Sequence, residues 1–176
     1  MNINFIPNIL FVTLDSCSVE SAQKANLVNL PKISRMRVAE TPGNYTYSAH
    51  SAFFIGNLPR LIYGNDYLPG YNSIWRSIQA KSEKSSLFHF SESNIISFHK
   101  NVGYDCIGMG GVSFFDPQTS CNYLSSLFDT FYYSKDQKKT EATRKRDLNS
   151  FSLDKLEIII NNISNNKPFF LFINAK

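Results

Sequence analysis

Three short apolar runs without polar alternation constrain this chain more than any other feature. They are Ile9-Leu10-Phe11-Val12 within residues 8–14, the Y-D-C-I-G-M segment 104–109, and Phe169-Phe170-Leu171-Phe172-Ile173 within 169–173. A strand with one wet face alternates, whereas a run that does not alternate suits a strand covered on both sides, as in a parallel sheet. Helical patterns lie between the runs, and parallel neighbours need such crossovers. The chain of 176 residues therefore reads as one α/β domain with a mainly parallel sheet and flanking helices. A domain of this size buries roughly 70% of its unfolded surface.

The first run stops at Leu14-Asp15-Ser16, which places a carboxylate at the carboxyl end of a central strand. Open α/β sheets bind their ligands at that edge. A second turn follows: Pro42-Gly43-Asn44 ends a short extended stretch, 37–41, read as a second strand. It delivers Tyr45-Thr46-Tyr47-Ser48-Ala49-His50, then apolar Ala52-Phe53-Phe54-Ile55 and a Gly56–Pro59 stop. The pattern predicts a short helix with the Thr46 oxygen at its N-terminus, where anions are favoured. Asp15 at that place can cap the helix that follows it. His50 is either a hydrogen-bonded packing residue or part of a site.

The order of these residues resembles the amino-terminal part of the alkaline phosphatase and sulfatase superfamily. In that family an apolar strand ends on a metal-ligating Asp, and a nucleophile follows in a pattern like T-x-P-S-H or C-x-P-S-R. Here Asp15-Ser16 matches the first element, Thr46 takes the nucleophile position, His50 lies four residues on and Gly56 ten on. Ser48-Ala49 replace the usual Pro-Ser, and Ser18 stands where many members have Arg. The resemblance implies that Asp15 and Thr46 bind a divalent metal ion (zinc, calcium, magnesium or manganese). It also implies that Thr46 attacks a small anionic ester and that His50 orients the turn or contacts the ester oxygens. Sulfatases convert Cys or Ser to formylglycine, an aldehyde that threonine's extra methyl denies, so Thr46 favours phosphate or phosphonate esters over sulfate. The family's other Asp and His ligands lie beyond a strand like K-P-F-F-L-F-I-N. Residues 1–176 thus correspond to the amino-terminal portion of a family domain. They are either a truncated piece completed by a carboxy-terminal segment or partner chain and inactive alone, or a short relative without the metal site. A catalytically silent binding or interaction module that keeps the fold is the alternative to a hydrolase.

Elsewhere the pattern predicts helices over 19–29, 31–36, 91–102 (capped by Ser91, stopped by Gly103), 119–127 and 152–164. In the last, Leu153, Leu156, Ile159, Ile160 and Ile163 form an apolar stripe. Residues 87–90 read as a strand fragment that makes a βαβ-like unit with 104–109, and 128–133 as an aromatic strand. Gly108-Met109-Gly110-Gly111 fails as a dinucleotide fingerprint, because Ser113 takes the third glycine position and no helix opens there. It reads instead as a strand end packed closely against the active-site turn. The irregular aromatic stretch 59–84 is a surface loop or a lid. Six Lys and Arg residues between 135 and 146 lie within a polar connector, 134–150. His89 and His99 read as structural.

A net charge of +4 from 18 basic and 14 acidic residues is too weak and scattered to imply nucleic acid. No apolar run approaches the ~18 residues of a membrane helix. Three cysteines without metal spacing and a start without the features of a signal peptide give a cytoplasmic expectation.

Overall fold

The computed structural model describes residues 6–25, 36–41, 43, 45–56, 76–77, 88–89, 93–119, 122–133, 153–164 and 166–175. The elements are β1 (Ile9–Leu14), α1 (Val19–Lys24), α2 (Thr46–Ile55), β2 (Arg76–Ser77), β3 (Phe88–His89), α3 (Ile95–Asn101), β4 (Asp105–Gly110), α4 (Tyr123–Ser126), β5 (Thr130–Tyr133), α5 (Leu153–Asn162) and β6 (Phe169–Ala175). The three apolar runs become β1, β4 and β6. They are neighbours in one four-stranded, all-parallel sheet of order β1-β6-β4-β5. The protein is thus an α/β structure built on a parallel sheet, as the missing alternation predicts.

The register sorts the side chains into rows across the sheet. On the face turned to α2, α3 and α4, the rows are Ile9–Phe170–Cys106, then Phe11–Phe172–Gly108, then Thr13–Asn174–Gly110. Two apolar rows thus give way to a polar one at the carboxyl edge. Tyr47 and Phe54 from α2, Ile96 from α3, Leu124 from α4, and Phe115 and Phe128 pack on the apolar rows as the main core. Phe172 is its hub, with Phe54 edge-on at 5.2 Å and Phe128 stacked at 5.5 Å. Each such side chain contributes about 1.5–3 kcal/mol of burial, and a well-placed aromatic pair about 0.5–1.5 kcal/mol more. The glycines of β4 serve this packing: a Cβ on Gly108 would collide with the Phe131 ring, and one on Gly110 would lie 3.3 Å from Phe115. The strand end is close-packed as expected, but against these rings and Asn174 rather than against the turn that carries Thr46.

Covering of the opposite face is partial. Leu156, Ile159 and Ile163 of the α5 region pack on Met109, Leu171 and Ile173. Ile160 is exposed, so the stripe is narrower than the sequence suggests. Helix caps also moved: Asn94, not Ser91, starts α3 by accepting from the Ile96 and Ser97 amides, at 3.1 and 2.9 Å. Gly56 and Gly103 end α2 and α3 at φ 78° and 92°, backbone that a Cβ would strain.

Three expectations are corrected. Residues 37–41 form no strand; they are exposed with no ladder partner among the described residues, since Val38 is their one large apolar side chain and faces solvent. The 87–90 segment gives β3, which pairs antiparallel with β2 in a separate two-stranded sheet, so it makes no βαβ unit with β4. The 119–127 helix shrinks to one turn, α4, because Asp116 holds the preceding segment in a turn by accepting from the Gln118 amide at 2.9 Å. In 19–29 the helix is described over Val19–Lys24, and Ala25 is already extended. The 31–35 part of the second helix, most of the 59–84 loop, the 134–150 connector and Ser152 lie outside the described residues.

Candidate functional site

Alternation along β1 puts Thr13 and Asp15 on the same face, two residues apart. The Asp15 amide donates to the Ala175 carbonyl at 2.6 Å, carrying the β1–β6 ladder one residue past the strand. Ser16 then turns the chain at φ 59°, a left-handed conformation that costs a non-glycine residue about 1–3 kcal/mol. Ser18 caps α1 by accepting from the Ser21 amide at 3.1 Å. The side chain of Asp15 is therefore not the cap, which removes that reading. Its Oδ2 accepts instead from the Thr46 hydroxyl at 3.2 Å, across 31 residues of sequence. Tyr45 precedes α2 in an extended conformation and offers no side-chain cap, so Thr46 is the first helical residue. The two residues singled out from sequence thus meet at the carboxyl edge of the sheet.

His50 is one turn further along α2 and only 4% exposed. Its Nδ1–H donates to the Thr46 carbonyl at 2.7 Å, which fixes the neutral tautomer and leaves Nε2 as an acceptor. Nε2 faces the sheet, 3.1 Å from the Thr13 hydroxyl and 3.0 Å from the Asn174 amide nitrogen. That same nitrogen donates to Thr13 Oγ1 at 3.0 Å. The Asn174 Oδ1 is buried without a partner among the described residues, at a cost of about 1–3 kcal/mol. Rotating the amide would set that oxygen against the lone pair of Nε2, so the unpaired oxygen is the lesser penalty. Edges and faces of Phe53, Phe115 and Phe172 surround the imidazole at 5.6, 5.3 and 5.7 Å. Burial pushes its proton affinity below the ordinary histidine value; the Thr46 hydrogen bond and the Asp15 charge oppose this more weakly.

Asp15, Thr46 and His50 border a cleft of about 570 Å³, with Ser16 beside them and Tyr45 and Phe114 among its apolar walls. Gly43 closes one side: a Cβ there would strike Ser48 and lie 2.7 Å from the Ala49 nitrogen, so only glycine lets that backbone approach α2. The carboxylate and the hydroxyl are hard oxygen donors, a set that fits a hard divalent cation as two of its ligands. His50 does not join them, since both its ring nitrogens are engaged. Among the described residues no group of three or more His, Cys, Asp or Glu gathers as a metal cluster. His99 is structural, with Nδ1–H donating to the Ile95 carbonyl at 2.6 Å and its ring against Tyr104 and Phe170. The His89 side chain lies outside the described residues. Cys106 is buried and its thiol is pushed up to about 11, first by burial and then by the Asp129 charge, so it is inert.

Sequence reasoning did not single out Thr13 or Asn174, and met Ser16 only as part of the Asp15-Ser16 match. The signal for Thr13 was its even spacing from Asp15, and for Asn174 a polar residue ending an apolar strand. No family model, no curated protein and no solved structure matches the chain. Among the described residues no helix is long and apolar enough to cross a membrane.

Proposed function

We propose that the cleft is the nucleophile-bearing part of a sulfatase-like, metal-dependent hydrolase site for small anionic esters, with phosphate or phosphonate preferred to sulfate. The observation that supports it most is the 3.2 Å contact between Thr46 Oγ1 and Asp15 Oδ2 at the open edge of a parallel sheet. The motif resemblance had paired these two residues from their order alone. Asp15 and Thr46 are the residues that would hold a divalent ion, which supplies charge neutralisation and a lower hydroxyl pKa. Thr46 is the nucleophile: its oxygen bonds to phosphorus as the ester P–O bond breaks and the alcohol leaves. The α2 N-terminus, uncapped by any side chain, presents its amide dipole to the anion. His50 holds the carbonyl of the nucleophile rather than touching the ester.

The second reading, a silent binding module, draws on one observation. With both His50 nitrogens turned inward, no imidazole of the cleft among the described residues is free to carry a proton to the leaving alcohol.

The test is turnover of chromogenic phosphate monoester, diester and sulfate with zinc, manganese, magnesium or calcium, set beside Asp15→Ala and Thr46→Ala. A catalytic zinc site normally has three protein ligands, and two oxygens leave an ion mostly hydrated. The expected rate for the 176-residue chain is therefore no higher than for Thr46→Ala. Phosphate with magnesium should nevertheless shift the backbone amide signals of Ser16 and Thr46, and both shifts should vanish in Asp15→Ala. Amides that respond to phosphate equally with and without metal favour the binding module. Metal-dependent turnover lost in both variants would show that these two ligands suffice.

A further inference from the structure

We propose that Asn174 is a positioning residue for Thr46, acting through His50. This rests on the reading of Thr46 as the nucleophile and adds to it the device that aims the hydroxyl.

Strand β6 is apolar along its length until Asn174, which is 2% exposed and sits between Thr13 and Gly110 in the last cross-strand row. A leucine there would fill a similar volume without leaving an oxygen unpaired. What the amide adds is direction. Its nitrogen reaches Thr13 Oγ1 and His50 Nε2, both at 3.0 Å. A donor at Nε2 requires the proton to be on Nδ1, and Nδ1–H then holds the Thr46 carbonyl at 2.7 Å. The Thr46 hydroxyl is held from the other side by Asp15 at 3.2 Å. The bonds close a ring: Asp15 to Thr46, Thr46 to His50, His50 to Thr13, and Thr13 back along β1 to Asp15. Asn174 enters that ring from the neighbouring strand. Gly110 keeps the row open, because it is the small residue that lets the Phe115 ring stand beside Asn174 and perpendicular to the imidazole.

Thr46 therefore has both ends of its dipeptide unit fixed, carbonyl and hydroxyl. A helical threonine otherwise divides between two χ1 rotamers. Without the Asn174 donor, Nε2 can take the proton and donate to Thr13 Oγ1. Nδ1 then has no hydrogen for the Thr46 carbonyl, and one of the two constraints is gone.

The experiment is NMR on the labelled chain at pH 8, reading the His50 ring-nitrogen shifts and the three-bond couplings that define Thr46 χ1. His50 is assigned by comparison with His99→Gln and His89→Gln. The wild type should show one Nδ1–H tautomer and one Thr46 rotamer. Asn174→Leu should give a mixture of tautomers and an averaged χ1. Thr13→Ser, which keeps the hydroxyl, should behave as wild type, and so should Thr13→Val, which removes the acceptor an Nε2–H would need and leaves the Asn174 donor on Nε2. Mixed tautomers in Thr13→Val would overturn the proposal by placing the control in Thr13. A stably folded Asn174→Leu with the wild-type tautomer and a single χ1 would overturn the proposal and leave Asn174 a packing residue. If Asn174→Leu does not fold, Asn174→Ala decides, since it too removes the donor: a wild-type tautomer and a single χ1 there overturn the proposal. These signals are read without metal or ester. An intact ring of bonds beside an Asp15→Ala chain that still responds to phosphate would sink the hydrolase reading alone.

Discussion

On one face of β1, Ile9 and Phe11 pack into the aromatic core, and Thr13 joins Asn174 and His50 in the hydrogen-bonded row beside the cleft. On the other face Leu10, Val12 and Leu14 are 62%, 46% and 55% exposed. The side chains come from alternate positions of one strand, and the apolar ones are similar in hydrophobicity. What separates them is cover. Helix α2 and Phe172 close over the first set, while α5 reaches Leu171, Ile173 and Met109 on the second face. The cover on both faces that the unalternating run predicts is therefore not found at β1. An unalternating run reports that both faces are suited to burial, and it does not say that both are buried.

The contrast breaks first at the hub of the covered face. Phe172→Ala should cost about 3–5 kcal/mol, because Phe172 is fully buried among rings from α2, β1 and the 113–128 segment. Urea denaturation followed by circular dichroism measures it; a loss under about 1 kcal/mol would mean that the aromatic cluster is not the core. Next comes Gly108→Ala on the same face, where the new methyl meets the Phe131 and Phe128 rings. Overpacking of this kind costs about 1–3 kcal/mol, and a neutral result in the same assay would show that the rings yield.

A smaller effect is expected from His50. Its folded-state pKa lies below the ordinary histidine value because burial disfavours the cation. The unfolded chain then binds more protons below about pH 6.5, so the contribution is full above that value and falls as pH drops through it. Unfolding midpoints at pH 8 and pH 5.5 should separate in wild type and draw together in His50→Gln. A wild type that gains stability on acidification would reverse the sign. The smallest effect belongs to the bare face: Leu10→Ala should stay within about 0.5 kcal/mol. A loss of 2 kcal/mol or more, the cost of a buried Leu truncation, would show that the face is covered after all.

Much of this arrangement was legible in the residues. Absence of alternation gave three parallel neighbours, and a carboxylate closing an apolar strand gave one edge of the cleft. What the sequence hid has physical reasons. Residues 37–41 look like a strand because a β-branched valine and a threonine flank a turn signal, yet a strand needs a partner ladder and none of the described strands offers one. Ser91 and Asn94 are both good caps, and the choice between them depends on where Ile96 must point to be fully buried. Asn174 and Thr13 are 161 residues apart. Their pairing is a consequence of register between β1 and β6, which periodicity within either segment cannot set. His50 illustrates the same limit: its spacing from Thr46 was visible, but the direction of its ring depends on what β6 offers.

The central claim, that Asp15 and Thr46 form a cation-dependent site, is most directly tested by manganese titration followed by electron paramagnetic resonance. The account predicts one weak site per chain, abolished in Asp15→Ala and weakened in Thr46→Ala, with Cys17→Ser unchanged as a control from the same cleft. Equal manganese binding by wild type, Asp15→Ala and Thr46→Ala would contradict it.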